Sequence, residues 1–76
     1  MVIDRMKIAQ RIKGLRYQSR YSQQYIADKL FISQAAYSLL ENGQNCIALD
    51  HIIRLSCIYH KTTDFLLLGK ESEHLS

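Results

Sequence analysis

Apolar residues recur along this chain at three- and four-residue intervals rather than at every second position, so the pattern predicts helices and no strands. Ile8, Ile12 and Leu15 fall at i, i+4 and i+7 of a segment over 5–18 whose other faces are basic. Gly14 inside it costs about 1 kcal/mol relative to alanine. Ser22 suits the N-cap of a second helix over 23–30, where Ile26, Ala27 and Leu30 share a face, and Ser33 repeats the device for a third over 34–41. Asn42-Gly43 is expected to supply the left-handed residues that end it, with a loop following through Gln44 to Ala48. Leu49 to Tyr59 makes a fourth helix, with Leu49, Ile52, Leu55, Ser56 and Tyr59 expected on its inner side and Asp50 placed to suit the helix dipole. Thr62 or Thr63 can cap a last helix through Phe65 to Leu68, closed by Gly69.

The expected architecture is all-α, a compact five-helix bundle occupying residues 1–69, with 70–76 a frayed polar tail. At 76 residues the chain allows one domain that buries only about 60% of its unfolded surface, so contacts with a partner or ligand would matter to it. No apolar run is long enough for a membrane span or a signal-peptide core, and a cytoplasmic protein is expected. The two cysteines then stay reduced, and Cys57, inside an apolar helix, is expected in the core. Cys46, His51, Cys57 and His60 lie close in sequence but lack the tight cysteine pair of a structural zinc site, so no metal is expected. The histidines are explained by solvent exposure, and with no Gly-rich phosphate loop, cysteine–histidine constellation or carboxylate dyad, neither an enzyme nor a cofactor is expected.

Charge changes this picture. Residues 1–33 carry seven cations against two carboxylates, a net +5, whereas residues 34–76 carry three against five, a net −2. A basic half points to nucleic acid or a charged surface. Two short capped helices across a tight turn make a helix-turn-helix arrangement, whose second helix enters the major groove of DNA.

Tyr37 and Leu40, joined by Ala36, form the inward face of the third helix, which leaves Gln34, Ala35, Ser38 and Leu39 outward. A glutamine amide can pair bidentately with adenine N6 and N7, and Ala35 and Leu39 can offer methyl contacts to thymine. Ser33 and Ser38 can bond to a phosphate or a base, while Gln23 heads a helix whose free N–H groups favour an anion. Asn42 and Gly43 are expected to offer backbone N–H groups beyond the recognition helix, and Arg11, Lys13 and Arg20 to add charge.

"RIKGLR", "YSQQYIADKL", "ISQAAYSLLENG" and "TTDFLLLG" together give the segment Ile8 to Gly69 its resemblance to the Cro and phage-repressor type of helix-turn-helix domain, the xenobiotic-response-element family. The resemblance implies a lambda-repressor-like fold and a bacterial or phage-encoded transcriptional regulator, of repressor type, that binds a palindromic operator in double-stranded DNA as a homodimer. It also implies a phosphate contact for Gln23 and an ion pair between Arg16 and Glu41 that holds the end of the third helix. The dimer surface is expected at Phe65 to Leu68 and the preceding loop. The alternative function is a protein-interaction module of the same fold, such as an antitoxin or small phage regulator, binding a partner protein through Ala35, Ser38 and Leu39. The sequence departs from the family where glycine is usual, at Arg20 and Phe31, so either the turns differ or left-handed strain is accepted there. Tyr37 replaces the usual aliphatic core residue, and its hydroxyl needs a partner if buried.

Overall fold

The computed structural model describes residues 3–70, so the expected frayed tail lies, apart from Lys70, outside the described residues. Five helices follow in order: α1 Arg5–Ser19, α2 Gln23–Leu30, α3 Gln34–Glu41, α4 Leu49–Tyr59 and α5 Thr63–Leu68. No helix among the described residues is long and apolar enough to cross a membrane.

The starts are set by side-chain oxygens. Asp4 accepts from the N–H groups of Met6 and Lys7, and Ser22, Ser33 and Thr62 accept from Tyr25, Ala36 and Phe65, each at 3.0–3.1 Å. Only α4 begins without a side-chain cap, at Ala48, and it carries Asp50 in its first turn instead.

Helix ends divide into two kinds. Arg20, Phe31 and His60 take the left-handed conformation, with φ of 60°, 60° and 55°, which costs a non-glycine residue about 1–2 kcal/mol. The chain therefore keeps the left-handed turns and accepts their strain. In return all three close Schellman-type bonds, in which Tyr21 N–H donates to Arg16, Ile32 N–H to Ala27 and Lys61 N–H to Ser56. The end of α3 differs from expectation. Asn42 sits at φ −92°, and the left-handed residue is Gly43 alone, at φ 75°. A Cβ on Gly43 would also meet Met6 Sδ at 2.2 Å.

Ile8, Ile12 and Leu15 of α1 pack with Ile26, Ala27 and Leu30 of α2, Tyr37 of α3, Ile52, Leu55 and Tyr59 of α4 and Leu66 of α5. Ala27 is wholly buried, so any larger side chain there would force the crossing helices apart. On α4 three expectations are corrected. Leu49 is 72% exposed, Cys57 is exposed, and His51 is half-buried with Nδ1 buried and unpartnered among the described residues. The inner face is Ile52, Leu55 and Tyr59; Cys57 lies across the helix from it, and Leu49 lies on its flank in the exposed first turn. In the segment expected to form the dimer surface Leu66 is fully buried, while Phe65 and Leu67 pack on the core and, like Leu68, remain half-buried.

Candidate nucleic-acid interface

Gln34 is the first residue of α3 and Gln23 the first of α2, and the turn between the helices brings these two ends together. Gln34 Nε2 approaches Gln23 Oε1 at 3.5 Å, and Gln23 Nε2 donates to Glu41 Oε1 at 3.1 Å. Glu41 is buried at the far end of α3. Its carboxylate receives Arg16 Nε on Oε2 at 2.7 Å and Arg16 Nη2 on Oε1 at 2.8 Å, a bidentate fork of the strong, charge-assisted kind. Tyr37 Oη donates to Oε2 at 2.6 Å, and the remaining arm of Arg16 donates to the Tyr21 carbonyl. One carboxylate thus ties α1, α2 and α3 together and reaches the exposed surface through two amides.

Electrostatics follow from that geometry. Burial pushes the Glu41 carboxyl up, but the hydrogen bonds from Arg16, Tyr37 and Gln23 outweigh it and hold the group below its ordinary value. Burial, together with the bond to Glu41, raises the Tyr37 phenol. The bond to Glu41 likewise raises the Arg16 guanidinium against an opposing burial effect. At neutral pH the cluster is an Arg⁺–Glu⁻ pair with a neutral phenol donating to it.

Around Gln34 the outward surface consists of Ala35 and Leu39, both exposed, and half-buried Ser38. The Ser33 oxygen is committed as an acceptor to Ala36 N–H, which leaves its O–H as a donor. Asn42 is exposed, but its N–H donates to Ser38 and the N–H of buried Gly43 to Leu40. The backbone donors expected there are therefore spent inside the helix end, and Asn42 can reach outward only through its side-chain amide. Arg11 is also committed, its Nη1 donating to the Leu66 carbonyl at 3.1 Å. Lys13 lies 5.9 Å from the Tyr17 ring centroid, and Arg20 is exposed at the end of α1.

The Gln23–Glu41 bond and the Tyr37 donor were not anticipated from sequence. Tyr37 and Glu41 stand four apart on one helix, the spacing that brings side chains together, so that bond had a legible signal. Gln23 and Glu41 are 18 residues apart and had none. Among the described residues no three His, Cys, Asp or Glu side chains stand close enough together to hold a metal.

A short capped helix set across another, presenting an amide at its N-terminal end beside a second helix N-terminus, defines a helix-turn-helix domain of the DNA-binding class. The chain belongs to the helix-turn-helix family, whose pattern it matches over residues 12–66. Among solved structures it is similar to the P22 c2 repressor in complex with synthetic operator 9T, with a TM-score of 0.76 and 22% identity over 83% of this chain and 96% of that one. It is also similar to the restriction-modification controller protein C.AhdI from Aeromonas hydrophila, with a TM-score of 0.74 and 25% identity over 84% of this chain and 93% of that one. No curated protein sequence matches.

Proposed function

We propose that this DNA-binding transcription regulator acts as a repressor in the cytoplasm, laying α3 in the major groove of a palindromic operator as a homodimer. The observation that carries the reading is the ordered pair of amides. Gln23 is held by buried Glu41, and the exposed Gln34 amide stands beside it at the tip of α3, 3.5 Å away. An amide at that position is suited to adenine N6 and N7, with Ala35 and Leu39 supplying methyl contacts to thymine. Gln23, the Ser33 hydroxyl, Ser38 and the Asn42 side chain are placed for phosphate or sugar contacts, which position the helix without reading sequence. The likeness to a repressor bound to a synthetic operator supports this placement.

Selection of bound duplexes from a random pool tests it. The expected consensus is a two-fold symmetric site, with half-sites about one helical turn apart and an A·T pair at the position read by Gln34. Gln34→Ala should lose about 1–3 kcal/mol of discrimination at that one pair and leave the others unchanged. A G-rich consensus, or no retardation of any duplex at low salt, would overturn the reading.

A further inference from the structure

Between the start of α1, the loop after α3 and the helices α4 and α5 lies a cavity of about 200 Å³. Its floor is Ile8 and Ile52, both core residues, with half-buried Ile47 of the loop and Leu67 of α5 beside them. Ile3, 59% exposed, continues the apolar wall to the surface. All of these side chains are aliphatic, so the space suits an alkyl chain and offers no ring on which an aromatic body could stack. None of them belongs to the surface placed on the operator.

Two polar groups complete the lining, Arg5 and Cys46, both exposed and therefore on its open side. Arg5 Nη1 donates to Cys46 Sγ at 3.3 Å, a bond that joins the first turn of α1 to the loop. A thiol is a weak acceptor, and among the described residues no carboxylate pairs with Arg5. Asp4, its neighbour in sequence, is committed to capping α1. A mostly apolar concavity with a few placed polar groups is the usual form of a small-molecule site. The partner that best matches an unpaired guanidinium is a carboxylate, which it can hold through two parallel bonds.

We propose that this cavity binds a medium-chain alkyl carboxylate, its tail against Ile8 and Ile52 and its head on Arg5. Volume sets the length: a cavity of about 150 Å³ takes the six carbons of benzene, so one of about 200 Å³ holds a tail of about eight. Each methylene removed from water adds to the affinity, while the cation selects an acid over the alcohol of the same length.

Calorimetric titration of the full chain with straight-chain acids from butanoate to dodecanoate, each below its micelle concentration, tests the assignment. Affinity should rise about fourfold per added methylene and level off near octanoate, where the cavity is filled. Octanol should bind at least about tenfold more weakly than octanoate, the difference a hydrogen bond between charged groups makes. Arg5→Gln should bring octanoate down to the level of octanol and leave the thermal midpoint unchanged, since Arg5 is exposed. Ile47→Phe, which fills the cavity from the loop, should abolish the dependence on chain length. A second readout locates the ligand: octanoate should slow alkylation of Cys46 by iodoacetamide and leave that of Cys57, exposed on α4, unchanged. An affinity indifferent to chain length, an alcohol that binds as well as the acid, or equal protection of the two cysteines overturns the assignment. Operator binding is measured separately by gel shift, and its failure would leave this site untouched.

Discussion

Glu41 accepts from three side chains in a buried site, so its free energy depends on every one of them. Removing the guanidinium leaves a buried carboxylate short of its counter-charge, and Arg16→Ala should cost about 3–5 kcal/mol, a large part of what so small a domain has. Arg16→Lys should fall between, because an ammonium keeps the charge but not the fork. Denaturant melts of the three proteins check the order. Because the Glu41 carboxyl is held low in the folded state, it contributes stability that is complete above the ordinary glutamate range, near about pH 4.3. That contribution is lost progressively as pH falls below this range toward the lowered value of the fold. Glu41→Gln should therefore be less stable at neutral pH and show a shallower acid slope between about pH 5 and 2, measured as unfolding free energy against pH. Gly14 offers the opposite case: a Cβ there meets nothing within 4 Å, so Gly14→Ala should gain about 1 kcal/mol and raise the thermal midpoint by about 4–8 °C. Tyr59 is a third. Its hydroxyl is buried without a partner among the described residues, and burial pushes its pKa up to about 12. Tyr59→Phe should be neutral or mildly stabilising.

At the scale of the element, helix starts were legible because capping chemistry is local. Ser22 and Ser33 each bond three residues ahead, a distance readable in the chain itself. Ser33→Ala should cost about 1 kcal/mol and, by fraying the tip of α3, weaken operator binding more than it weakens the fold, a comparison of melts with gel-shift affinities. The inward face of α4 was not legible. That helix is apolar on both sides, with Ile52, Leu55 and Tyr59 inside and Leu49 and Ile53 outside, so periodicity allowed two faces and only packing chose. The backbone at Asn42-Gly43 escaped for another reason. The residue pair suits several turns; the glycine is the one that turns left-handed, and Met6, far away in sequence, leaves no room for a Cβ there.

For the whole molecule, the basic half of the sequence overstates the charge available to DNA. Arg16 is spent on Glu41 and Arg11 on the Leu66 carbonyl, while Lys29 lies over the Tyr25 ring. Operator affinity should accordingly fall with salt on a shallow logarithmic slope, each phosphate contact adding about 0.9 to it, as a titration of binding against salt would measure. The fold was legible as a whole because all five helices carry their own start or stop signals. Of the candidate interface, the outward placement of Gln34, Ala35 and Leu39 was legible, whereas the bond that holds Gln23 joins positions distant in sequence and was not.

The shared Glu41 carboxylate also divides the proposed recognition surface into two kinds of position. Ala35 and Leu39 hang on α3 outside the network and can be exchanged freely, so a change of operator preference made there should leave stability alone and combine additively with others. Gln23 and Gln34 are coupled to each other and, through Glu41, to the core. Substitutions at both should be non-additive in binding, and a new preference built on them would carry a stability penalty that needs compensation elsewhere in the bundle. New operator specificities of this scaffold are therefore expected to arise first along the middle of α3, with its N-terminal amide retained.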